Sequence, residues 1–213
     1  NTTQVFIHPD VEIDLEKTLY QVILKFAPIM SVVQATPVQN LSLVPSHLRL
    51  SSADLELAQA LDNRSARLKQ AIDETRNAFD YIIIDNPPSL GLVTMNSFTA
   101  SDAVLIPVST AYFALTGLDQ LRETMSMVKQ TRLNPNLRVF GVLCTFCEET
   151  LVSRDVEKQL RDYFGELVFK TTIPKNVRLE EAHSHHTHIF DFAPTSTGAK
   201  AYASLVQEVI NRQ

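Results

Sequence analysis

The stretch D-Y-I-I-I-D-N-P-P-S-L-G-L-V-T-M-N at residues 80–96 restricts the fold more than any other part of the chain. Tyr81, Ile82, Ile83 and Ile84 make an apolar, largely β-branched run that is too short for a helix and is closed at once by turn formers, which is the pattern of a strand buried on both faces. Asp85 ends that predicted strand. A carboxylate there points into the crevice where doubly wound α/β sheets bind ligands, near any helix N-terminus that holds phosphates, and it suits Mg²⁺ held through water. Pro87 and Pro88 stiffen the turn, Ser89 is a candidate N-cap, and Gly91 lets the chain bend into a short helix. The plainer alternative makes Asp85 a strand-end cap and nothing more.

The remaining sequence alternates helical and strand patterns. Leu15, Leu19, Val22, Ile23 and Phe26 recur at helical spacing over residues 15–29, with Asp14 as N-cap and Pro28 near the end. A short strand is expected over 41–44. A helix opens at Ser51 or Ser52 and carries Leu55, Leu57, Ala58 and Leu61, and another covers 65–78. Strands over 103–108, 139–143 and 167–173 alternate with a long helix marked by Leu118, Leu121, Met125 and Val128 and with a helix over 152–164. A terminal helix turns Tyr202, Leu205, Val206 and Val209 inward. Such alternation implies parallel βαβ units, so the predicted class is α/β, a doubly wound, mostly parallel sheet with helices on both faces.

At 213 residues and 45% hydrophobic content the chain can bury a proper core and is most simply one domain, residues 1–213. A formal charge of −5 argues against a general nucleic-acid coat, so any DNA binding must be local and salt-sensitive. No apolar run approaches a membrane span and no signal-peptide pattern is present, which predicts a cytoplasmic protein without a membrane partner. Cys144 and Cys147 lie too close in sequence to staple the fold, as expected in a reducing compartment. The glycines are scattered singly, so these residues contain no G-x-x-x-x-G-K-S/T loop to cradle phosphates.

Residues 80–108, from Asp80 through D-N-P-P-S to A-V-L-I-P-V, resemble the Walker B and switch II region of the ParA/Soj partition ATPases, deviant-Walker P-loop proteins. The likeness resumes at Y-F-A-L-T-G-L-D-Q (112–120) and I-P-K-N-V-R-L-E-E-A (173–182), and closes with G-A-K-A-Y (198–202). In that family a P-loop and a D-x-D-P-Q switch I segment lie upstream, and Asn1-Thr2-Thr3 resembles the residues immediately C-terminal to D-P-Q. The expectation is a ParA-like ATPase domain that lacks its N-terminal P-loop portion. The resemblance implies binding of ATP and Mg²⁺, an ATP-bound homodimer, slow hydrolysis that positions DNA or another cargo, and a ParB-like activating partner; the chain taken alone would be inactive. It makes Asp85 the catalytic, Mg²⁺-binding carboxylate acting through water, Asn86, Pro87, Pro88 and Ser89 the γ-phosphate switch, and Pro174, Asn176 and Val177 part of an adenine-side loop. Asn176 could equally be only an N-cap.

Arg154, Lys158 and Arg161 fall at i, i+4 and i+7 and form a basic stripe, which is either a solvated helix face or, with Arg178, part of the surface that family members use on DNA without sequence preference. DNA binding would associate the protein with the nucleoid. The family's D-A-R-T and K-S-R-G runs are here C-E-E-T (147–150) and T-S-T-G (195–198), which removes basic residues. Cys144-x-x-Cys147 and the histidines at 183, 185, 186 and 188 raise a zinc site, weakly, since no second C-x-x-C exists and the histidine spacing is not that of a zinc finger. Rival readings are a non-enzymatic dimerisation or partner-binding module, a MinD-like positioning ATPase and a biosynthetic P-loop enzyme. The terminal helix has few cations and no Trp or Phe, so it suits a core better than a membrane surface.

Overall fold

Residues 2–7, 10–111 and 116–212 are described by a computed structural model. They pack as two units, one of residues 1–102 with 121–137 and one of residues 103–120 with 138–213. The second resemblance motif begins at Tyr112, and its first four residues lie outside the described residues.

The first unit opens with α1 (Thr2–Phe6). Asp14 caps as expected, accepting a hydrogen bond from the Glu16 N–H, but the helix predicted over 15–29 splits into a 3-10 turn, Leu15–Lys17, and α2 (Leu19–Lys25). Thr18 is extended between them, and Phe26, at φ 57°, stops α2 in the left-handed conformation. β1 (Gln34–Ala35) pairs antiparallel with β2 (Ser42–Leu43), a shortened form of the strand expected there. α3 (Ala53–Gln59), α4 (Arg67–Asp73) and α5 (Leu92–Ala100) complete this part. Val22, Ile23, Leu57, Leu68, Ile72 and Val93 form their common core, each buried side chain contributing about 1.5–3 kcal/mol. Asn96, fully buried on α5, accepts from the Leu68 N–H and donates to the Arg64 and Leu92 carbonyls, which pins α5 to the start of α4.

The buried strand expected at Tyr81, Ile82, Ile83 and Ile84 is not formed. Among the described residues no strand pairs with residues 81–85, and the segment has no regular secondary structure. Ile84 packs against the core, but Ile83 is 91% exposed. β propensity measures how well a side chain suits a pleated, half-buried surface; it cannot supply the neighbouring strand that completes the hydrogen bonds.

The second unit is built on β3 (Ala103–Ser109), which after the start of α6 (Thr116–Gln130) pairs in parallel with β4 (Arg138–Thr145). α6 passes from the second unit into the first. α7 (Leu151–Phe164), α8 (Val177–Ser184), α9 (Ile189–Phe192) and α10 (Thr197–Asn211) come next. Parallel strands joined by helical segments make the chain an α/β protein, as the alternation predicts. The strand expected over 167–173 is reduced to single parallel bridges, Val142 with Val168 and Cys147 with Pro174. Side chains take the place of a ladder. The Lys170 and Thr171 N–H groups donate to the Glu208 carboxylate at 2.8 and 2.9 Å, and Arg212 donates to the Leu167 and Val168 carbonyls. Leu143, Phe169, Ile173 and Leu205 form the core here, and Gly141 admits the Phe169 ring where a Cβ would collide with it.

Candidate functional site

In the first unit, Asp85 lies exposed at the end of the 81–85 segment, and the Thr2 hydroxyl donates to its Oδ2 at 2.6 Å. Thr3, buried beside it, accepts from the Ser46 N–H, so α1 is fastened to the unit while Thr2 is presented to Asp85. Sequence patterning missed Thr2 as a contact of Asp85. Its only signal was the likeness of Asn1-Thr2-Thr3 to the family's segment after switch I. A carboxylate and a hydroxyl are hard oxygen donors of the kind Mg²⁺ takes, directly or through water, so these two side chains could hold that ion.

Asn86 folds back to donate to the Ile84 carbonyl at 3.1 Å, and Asn86, Pro87, Pro88 and Ser89 are exposed. Ser89 does not cap α5 through its side chain. Gly91 occupies the N-cap position, the Thr94 hydroxyl donates to the Ser89 carbonyl at 2.6 Å, and the Val93 N–H is satisfied from outside the helix by Asp54 at 2.8 Å. A Cβ on Gly91 would collide with that Asp54 carboxylate, so the glycine gives close approach rather than unusual torsions. The 86–89 segment is thus tied at both ends and open between them.

In the second unit, Pro174 pairs with Cys147, and the Lys175 N–H donates to the Cys147 carbonyl at 3.0 Å. Asn176 is the N-cap of α8, accepting from the Arg178 N–H at 2.9 Å, while its amide donates to the Thr197 hydroxyl at 2.6 Å. The capping role is therefore real. Val177 is 66% exposed, and Asn176 and Arg178 line an open, mostly polar concavity with Phe192, Ala193, Thr195, Ser196 and Thr197. His185 stacks on Phe192 with ring centroids 5.3 Å apart. A base-holding loop needs backbone and apolar surface, and the exposed Val177 could offer the apolar part.

The basic positions separate. Arg154 and Lys158 are exposed on α7, and among the described residues neither is in an ion pair. Arg161 is held by Glu157 through Nε and Nη2 at 3.0 and 2.7 Å, and it reaches the Phe169 carbonyl at 3.3 Å. Arg178 is exposed and pairs with Glu181 at 2.8 Å. Among the described residues no group of His, Cys, Asp and Glu is arranged to hold a metal ion, and no helix is long and apolar enough to cross a membrane.

Comparison with known proteins gives these placements a lineage. Residues 1–139 match the AAA_31 family, described as an AAA domain. The chain is 43% identical over 197 residues to sporulation initiation inhibitor protein Soj of Bacillus subtilis, covering 92% of this chain and 77% of that protein. It is 40% identical over 196 residues to chromosome-partitioning ATPase Soj of Treponema pallidum, again covering 92% of this chain and 77% of the relative. Among solved structures, cobyrinic acid a,c-diamide synthase from Mycobacterium smegmatis with bound ADP and magnesium superposes with a TM-score of 0.72 at 30% identity, covering 89% of this chain and 69% of that one. Identity of this extent, across motifs that include the Asp85 segment and the Pro174 loop, makes the chain a member of the ParA/Soj family of partition ATPases.

Proposed function

We infer that this protein is a Mg²⁺-dependent ATPase that partitions or positions DNA or another cargo. The observation that carries this reading is Asp85, exposed at the end of its segment and gripped by Thr2 at 2.6 Å, within a chain 40% identical to a chromosome-partitioning ATPase. The AAA_31 match continues from the first unit into the second, which supports treating the two as one ATPase domain. Metal-bound ATP would bring the charge neutralisation that phosphoryl transfer requires. Asp85 would hold the ion through water, Thr2 would fix the rotamer of that carboxylate, and Asn86, Pro87, Pro88 and Ser89 would respond to the γ-phosphate. Separately, Pro174, Asn176 and Val177 would contact the base through backbone and apolar surface.

The same reading supplies the partners. The ATP-bound protein dimerises, answers to a ParB-like activator and grips duplex DNA non-specifically through Arg154 and Lys158. Arg161, tied to Glu157, contributes less, and Arg178 contributes only where it exchanges Glu181 for phosphate. The non-enzymatic and MinD-like alternatives have no observation of their own in their favour.

The test is ATP turnover by the protein expressed from its whole reading frame, with and without Mg²⁺, beside the 213-residue chain alone. The whole-frame protein is expected to hydrolyse ATP slowly and only with Mg²⁺. The 213 residues, which contain no Walker A lysine or glycine loop, are expected to be inactive and to bind ATP weakly. Micromolar binding by that chain in calorimetry, about −8 kcal/mol, would contradict the placement of the phosphates.

A further inference from the structure

β4 ends with Cys144 and Thr145, and the chain turns through Phe146, whose φ of 52° is left-handed, before Cys147 enters a new parallel pairing. Both cysteines are hydrogen-bonded through their backbones to one residue. The Ile173 N–H donates to the Cys144 carbonyl at 2.9 Å, and the Cys147 N–H donates to the Ile173 carbonyl at 3.0 Å. In a regular parallel ladder a residue bonds in this way to two positions that flank a single residue and turn their side chains to the same face. Here Thr145 and Phe146 together occupy the place of one residue, a bulge that leaves Cys144 and Cys147 on a common face. The electrostatics agree. Both thiols feel the same charged pair on α7, Glu157 and Arg161, and Cys144 also feels Cys147.

Two strand rises of about 3.3 Å put flanking Cα atoms roughly 6.6 Å apart, and a bulge that bends the strand shortens this; disulfides span about 4.4–6.8 Å. Both cysteines are free thiols, Cys144 buried and Cys147 half-buried. We propose that Cys144 and Cys147 form a reversible dithiol site that low-molecular-weight disulfides oxidise to an intrachain disulfide, with Cys147 the entry thiol and Cys144 the resolving thiol. The site adjoins the Pro174 loop, with which Cys147 pairs, but does not rest on the nucleotide reading.

The exchange balances without other reactants. Cys147 Sγ, having lost its proton, attacks one sulfur of R–S–S–R, forming a mixed disulfide and releasing RS⁻, which takes up that proton as RSH. Cys144 Sγ, likewise deprotonated, then attacks Cys147 Sγ, closing the internal disulfide and releasing the second RSH. The two protein thiols lose two electrons in all, and the small disulfide gains them. Burial, the neighbouring Cys147 and Glu157 push the Cys144 thiol up to about 11, and burial raises the Cys147 thiol too, opposed in part by the Thr110 and Thr172 hydroxyls. The order of attack follows exposure, since the half-buried Cys147 is the thiol a small disulfide can reach and Cys144 is buried.

The experiment exposes the folded protein to glutathione disulfide, quenches with an alkylating reagent and maps the tryptic peptide of residues 139–154, which holds both cysteines. The wild-type peptide is expected to lose the mass of two hydrogens, carry no alkyl group and recover both thiols on reduction. Cys144→Ser should stop at one glutathione adduct on Cys147, and Cys147→Ser should stay unmodified. Recovery of a wild-type peptide with both cysteines alkylated, or with stable glutathione adducts, overturns the proposal, as does a Cys147→Ser variant that reacts as fast as wild type. Circular dichroism reports whether each variant is folded, and the wild-type result decides the matter where one is not.

Discussion

Glu208 accepts from the Lys170 and Thr171 N–H groups and from Arg212, a set of bonds that no neutral side chain reproduces. Burial pushes this carboxyl up, but the two backbone donors, the Thr171 hydroxyl and Arg212 outweigh it and hold the pKa at about 2, below the ordinary value of 4.5. A depressed folded pKa adds stability that is fully present above the unfolded pKa and is lost as pH falls toward the folded one. Glu208→Gln is expected to lower the unfolding free energy by on the order of 2 kcal/mol near neutral pH, with the deficit shrinking below about pH 4.5. Urea unfolding of both proteins across that range is the check; a deficit independent of pH would contradict the assignment. Asn96→Ala, which leaves the buried Leu68 N–H and two carbonyls without their partner, should cost about 2–3 kcal/mol in the same assay. A loss well under about 1 kcal/mol would mean that α5 is pinned otherwise.

At the scale of elements, α7 carries the sharpest prediction. Arg154→Ala and Lys158→Ala should leave stability nearly unchanged and each reduce the log–log salt slope of ATP-dependent DNA binding by roughly one. Arg161→Ala should instead destabilise the fold, because it releases Glu157 and the Phe169 carbonyl. Mobility shifts over a salt series, with melting curves alongside, separate the roles, and equal behaviour of all three variants would reduce the stripe to a solvated face. Some elements were legible in the sequence because their apolar spacing is local information: α7, α10, the strands β3 and β4, and the Asp14 cap lie close to where patterning puts them. The segments at 81–85 and 167–173 were not. Their residues have strand chemistry, but whether a segment is laddered depends on partners far away in sequence, and for 167–171 the partners proved to be Glu208, Arg212 and Arg161. Asn176 shows the same limit within the site, since spacing could not tell a cap from a ligand contact and the structure shows the cap in place. Thr2 at Asp85 joins residues 83 apart, a pairing that only the family resemblance hinted at.

At the scale of the whole molecule, activity is expected to depend on one carboxylate. On the proposed function the chain serves Mg²⁺·ATP, and Asp85, hydrogen-bonded by Thr2 and followed by the exposed 86–89 segment, would be its metal-facing group. On that proposal, a partition cycle driven by nucleotide state would need that carboxylate, whatever the cargo. The direct test is steady-state ATP hydrolysis by the whole-frame protein and its Asp85→Ala variant across a Mg²⁺ titration, with circular dichroism to confirm folding. Asp85 is exposed, so the variant is expected to fold normally. Its turnover should fall by about 10²-fold or more, the scale seen when a group stabilising transition-state charge is removed, and it should not recover with added Mg²⁺. A folded Asp85→Ala protein with wild-type turnover and wild-type Mg²⁺ dependence would contradict the central claim.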